Sequence, residues 1–192
     1  MPAATPLNGF CGKLPSHGDF VNRNLGNDFL QPWNEWLQSV VAVSQEQLEH
    51  SWLDIYLTSP IWHFVLSPNL CGPTGIIGVL MPSVDRVGRY FPLTLVRRID
   101  LPLVQALTAA EDWYQQAEEL ALTTLEDNFD LDQFVEAIEA LPDPLAEVSQ
   151  PQLDPLPPPN YSYQTPQHSR KSLSIATYET EAVQNQIAGL LQ

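Results

Sequence analysis

Positive charge is what this 192-residue chain has least of: 8 Lys and Arg stand against 23 Asp and Glu, a formal net charge of −15. Nucleic acids and anionic membrane surfaces attract proteins through basic footprints, so this balance weighs against both as partners. Cysteine is also scarce. Cys11 and Cys71 follow no metal-ligand spacing, and two such thiols in a protein expected inside the cell are expected to stay reduced. The N-terminus, MPAATPLNGF, has neither the basic residues nor the apolar run of a secretory signal. No stretch approaches the roughly 20 apolar residues that cross a bilayer. These absences together predict a cytoplasmic protein without membrane insertion, and no motif calls for a metal or cofactor.

The little positive charge present is unevenly placed. Residues 1–99 hold six basic and seven acidic residues, whereas residues 100–169 hold fourteen acidic and no basic ones. The acidity therefore belongs to the second half, where it reads as solvated helix faces or as a docking surface for a basic partner. Two of the scarce arginines, Arg86 and Arg89, lie with Asp85 in the short stretch MPSVDRVGRYFP at 81–92.

With 44% apolar residues the chain can bury one sizeable core. GFCGKL at 9–14 reads as an opening strand, followed by a turn at SHGDF. Phe29, Trp33, Trp36, Leu37 and Val40 recur at helical spacing and predict a helix from 28 to about 43. Asn27 or Asp28 would cap it, with Pro32 near its first turn. Ser44 and Gln47 resemble a capping box, so a second helix is expected over 44–56 with Leu48, Trp52, Ile55 and Tyr56 inward. Strands follow at 61–66, 74–81 and 92–99, joined by connections short enough for antiparallel pairing. Helices are expected at 103–127 and 131–141, then a proline-dense linker, then a strand at 172–178 and a short helix at 180–191. The fold class is α+β: a mainly antiparallel central sheet with helices packed on its faces. The expected organisation is a core over 1–141, a Pro-rich linker over 142–170 and a strand–helix segment over 171–192 that returns to the core.

Two stretches carry candidate chemistry. In GKLPSHGDF, Lys13, Ser16, His17 and Asp19 fall within seven residues. The cluster lacks a nucleophile elbow, and triads gather from distant segments, so a turn held by side-chain bonds to backbone amides is the stronger reading. In the loop at 85–89, the arginines either offer guanidinium groups to a partner's carboxylate or phosphate, or close an internal ion pair with Asp85. His63 lies in a strand with no second ligand nearby, and no metal site is expected there.

The stretches GKLPSHGDFVNR (12–23), PWNEWLQ (32–38), WLDIYLTSPIWHFVLSP (52–68) and CGPTGIIGVLMPSVDRVGRYFPLTLV (71–96), in this order and spacing, resemble the TagF family, also called ImpM. The resemblance covers roughly residues 8–98. It implies an α+β accessory protein of bacterial type VI secretion that is not an enzyme. The family is understood as a post-translational repressor of assembly or firing, connected with threonine phosphorylation and a forkhead-associated-domain scaffold. It places Lys13, Ser16, Asp19, Asp85, Arg86 and Arg89 in its two most specific stretches. The two loops are expected to lie side by side, as a partner-binding patch or as an internal ionic network. The competing readings are a hydrolase or phosphatase using Asp19, His17 and Asp85, and a structural component of the apparatus.

Overall fold

A computed structural model describes residues 8–100, 110–144 and 174–177. The elements in chain order are β1 (Asn8–Gly12), β2 (Val21–Arg23), α1 (Asn27–Leu48), α2 (Trp52–Leu57), β3 (Trp62–Leu66), β4 (Gly75–Met81), β5 (Leu93–Ile99), α3 (Glu111–Thr123), α4 (Leu131–Glu139) and β6 (Ser174–Thr177), with one turn of 3₁₀ helix at Glu49–Ser51. The strands form one sheet in the order β2-β1-β5-β4-β3-β6. Every pairing is antiparallel. This is the α+β architecture that the alternation of apolar runs and helical patterns predicts.

The period of two along the strands divides their side chains between two cores. Ile77, Val79 and Met81 of β4 join Phe10, Leu95, Trp113, Phe134 and Ile138 on the face covered by α3 and α4. Ile76 of β4 joins Cys11, Phe64, Leu66 and Val96 on the opposite face, under Phe29, Trp33 and Leu37 of α1. Both faces of the sheet are thus covered, which is why β4 and β5 read as near-continuous apolar runs.

Several boundaries differ from the sequence reading. β2 is an additional strand, too short, and with one apolar residue too few, to be legible in VNR. α1 is capped at Gly26, with no side-chain bond, rather than by Asn27 or Asp28. It runs through Ser44 without a break. The Ser44 hydroxyl does not cap a new helix; it donates to the Val41 carbonyl one turn back and accepts from the Trp52 indole N–H. Leu48 and Ile55, expected inward, are exposed, as is Val40. All three line an apolar groove between α1, α2 and the start of β3, whereas Phe29, Trp33 and Leu37 are the buried residues of α1. Of the helix expected at 103–127, the described part is Glu111–Thr123. Most of the proposed linker and the helix expected at 180–191 lie outside the described residues.

Candidate functional site

The site is built where β1 ends and where β4 turns back into β5. At Gly12 the backbone adopts φ +143° as it passes the Pro92 carbonyl, a conformation and a closeness that favour glycine. The chain then turns through Leu14, whose carbonyl accepts from the His17 N–H at 3.0 Å. Opposite, residues 84–90 make a tight loop closed by the Val84–Tyr90 bridge. The Asp85 N–H donates to the Arg89 carbonyl, the Gly88 N–H donates to the Asp85 carbonyl, and Gly88 takes the positive φ (+83°) that the turn demands.

Asp85 organises both loops. Its side chain is fully buried. Oδ1 accepts the backbone N–H groups of Val87 and Arg89 at 3.0 and 2.9 Å. Oδ2 accepts Lys13 Nζ at 2.6 Å and Arg89 Nε at 2.7 Å. Burial pushes this carboxyl up, but the bonds from Lys13, Arg89 and Val87 outweigh it and hold the acid well below the usual carboxylate range. The Arg86 N–H donates to the His17 carbonyl at 2.9 Å, and the Arg89 guanidinium donates to the Gly18 carbonyl. Ser83 Oγ donates to the Lys13 carbonyl at 2.7 Å. Tyr56 completes the support: its hydroxyl accepts from the Ser83 N–H and donates to the Ser83 carbonyl. Burial pushes its phenol up, so it stays protonated for that second bond.

The two predicted loops therefore lie side by side, but their charged residues divide. Lys13, Asp85 and Arg89 are joined in one internal network. Arg86 is exposed at its edge, with Val87 beside it at 64% exposure. Asp19 is exposed and, among the described residues, forms no ion pair with Lys13, Arg86 or Arg89. Ser16 and His17 bond to each other at 2.8 Å, not to a carboxylate. With both Asp85 oxygens saturated by four donors, the carboxylate has no lone pair left for a substrate proton. Among the described residues no group of three or more His, Cys, Asp or Glu is placed to hold a metal.

Acid should loosen this site. Asp85 titrates lower in the folded state than the roughly 3.9 of an unfolded aspartate, so its contribution is present above that value and is lost as pH falls through it toward the folded one. Thermal unfolding followed from pH 7 to pH 2 should show a steeper acid limb for the wild type than for Asp85→Asn. Parallel limbs would mean that the network does not couple to folding.

A second polar cluster escaped the sequence reading. Arg97, inside β5, is buried and donates to Asn8 Oδ1 at 3.2 Å, while its other arm meets Asp143 at 2.9 Å. The Trp113 indole N–H also reaches Asn8 Oδ1. The only signal available was an arginine amid the apolar residues of LTLVRRI. His63 stacks on Tyr114 at 4.6 Å and meets Glu118 at 3.0 Å, tying β3 to α3.

Residues 9–141 match the TagF N-terminal domain, described as type VI secretion system-associated. The chain belongs to the TagF family. Its fold is also that of the crystal structure of PA0076 from Pseudomonas aeruginosa PAO1, with a TM-score of 0.66 and 46% sequence identity over 71% of this chain. The match spans 63% of PA0076. No curated protein matches the sequence. All six residues singled out in the two loops fall within the matched domain, and the chain is a type VI secretion-associated protein of the TagF family.

Proposed function

We propose that this TagF-family protein represses type VI secretion after translation, by binding another protein rather than by catalysis, and that the exposed edge of the 85–89 loop is its contact surface. The carrying observation is the division of labour within the loop. Asp85, Lys13 and Arg89 fix the backbone from below, and Arg86 and Val87 are left facing solvent on that fixed frame. A rigid loop presenting a guanidinium and an apolar side chain suits recognition, because little conformational freedom is lost on binding. A partner carboxylate or phosphate is the natural counterpart of Arg86. A forkhead-associated-domain scaffold or another component of the secretion base would supply it. A hydrolase reading needs Asp19, His17 and Asp85 to converge, and the placement of these three side chains weighs against it.

The test is Arg86→Ala combined with Val87→Ala in the full chain, overproduced in secreting cells. The expected result is an unchanged melting temperature and restored secretion. Retained repression would place the contact elsewhere. Co-purification of the wild type in fixed stoichiometry with the assembled apparatus would favour a structural component instead.

A further inference from the structure

Among the described residues, the large apolar side chains left exposed fall into two groups. Most stand on α1 and α2, and the remaining two, Phe20 and Val87, stand one on each loop of the site. A single exposed apolar side chain calls for no explanation. These two share a frame. The Arg86 N–H donates to the His17 carbonyl, and the Arg89 guanidinium donates to the Gly18 carbonyl, which lays the SHGDF loop along the 85–89 turn. Arg86 Nη2 lies 3.9 Å from the place a Cβ on Gly18 would take, so the arginine head lies over Gly18. Two residues further on, the Phe20 ring stands edge-on to Phe91 at 5.8 Å. Phe91 belongs to the stem of the turn, where its N–H donates to the Ser83 carbonyl at 3.1 Å. Phe20 is thus held against the stem on one side and remains 38% exposed.

Charge completes the pattern. Each loop sets an exposed charge next to its apolar side chain, Asp19 before Phe20 and Arg86 before Val87. Asp19 forms no ion pair among the described residues. A free anion would answer only the arginine, would leave Phe20 and Val87 in water and would meet a like charge at Asp19. Apolar side chains on a fixed frame with charges of both signs around them suit a protein surface instead, where an aromatic anchor carries much of the binding energy.

We infer that Phe20 and Asp19 belong to the contact surface, and that the partner is a protein presenting an apolar side chain to Phe20 and Val87, an acidic group to Arg86 and a basic group to Asp19. The inference rests on the contact proposed above and extends it to the second loop.

The experiment titrates the overproduced full chain in secreting cells and reads the amount that halves secretion. It compares the wild type, Phe20→Ala, Asp19→Lys, and Arg86→Ala combined with Val87→Ala, with thermal unfolding of each purified protein. Phe20→Ala and Asp19→Lys should each raise that amount by about tenfold or more, as the loss of a hot-spot contact does. Asp19 is exposed and outside the internal network, so Asp19→Lys keeps the fold and decides the question should Phe20→Ala melt early. If the Arg86 and Val87 pair loses repression while Asp19→Lys and a folded Phe20→Ala repress at the wild-type amount, the inference is overturned and the first contact stands. If every variant represses like the wild type, or the wild type does not repress, both are overturned.

Discussion

Asp85→Ala should cost this protein about 3–5 kcal/mol, as expected for removing one member of a buried ion pair and leaving the other behind. The loss has three sources. Lys13, only 14% exposed in its side chain, loses the carboxylate that its ammonium group meets at 2.6 Å. The N–H groups of Val87 and Arg89 lose their shared oxygen. The 85–89 turn then no longer holds its register against His17 and Gly18. Arg89 contributes less to this sum, since its side chain is 58% exposed and water can replace its partner. Arg89→Ala should therefore be milder than Lys13→Ala. Arg86→Ala should change stability by less than about 0.5 kcal/mol, as surface substitutions do. Urea unfolding of the four variants gives the ranking directly. If Asp85→Ala and Arg86→Ala unfold at the same midpoint, the network is not a strut, and the loop needs another source of rigidity.

Trp33→Ala should be as severe, at about 3–5 kcal/mol. The indole is fully buried at the centre of the core under α1. It stacks on Phe64 at 4.7 Å and on Phe29 at 5.6 Å, with Trp36 at 5.0 Å. Its N–H donates to Thr94 Oγ1 at 3.0 Å. Truncation opens a cavity between α1 and the sheet and leaves the Thr94 hydroxyl buried without that donor. Trp33→Phe keeps most of the apolar contact and loses only the hydrogen bond, so it should cost about 1–3 kcal/mol. The midpoint of denaturant unfolding should shift in that order at constant slope. Equal midpoints for the two variants would mean that the hydrogen bond, and not the packing, carries the effect.

Much of the fold was legible because its signals are local. The apolar runs IWHFVL, TGIIGVLM and PLTLVRRI become β3, β4 and β5 within a residue or two. The short turns between them required antiparallel neighbours. The recurrence of Phe29, Trp33 and Leu37 marked the buried face of α1 correctly. The end of α1 was not legible. Ser44 carries a capping signature, but its hydroxyl is engaged by Trp52 and by the preceding turn, and the helix continues. Val40, Leu48 and Ile55 have the spacing of a core face, yet they stay exposed around an apolar groove that they line with Trp62 and Leu80. Spacing reports which residues share a side; it does not report how far the opposing surface extends.

The candidate site divides in the same way. By itself the sequence determined that two loops rich in polar residues flank the opening and the return of the sheet, that scarce positive charge gathers there, and that an acid sits among it. Only the tertiary structure decided which charges meet. Lys13 and Asp85 are 72 residues apart in the chain and 2.6 Å apart in space. Arg86 and Arg89 differ by three positions, and only the Arg89 side chain bonds to Asp85 and to the Gly18 carbonyl. The physical reason is that an ion pair across two loops depends on strand register and on the sign of a single φ angle at Gly88. The register is set by the pairing of β1 with β5 and of β5 with β4, whereas the φ at Gly88 is allowed by the glycine of the loop itself.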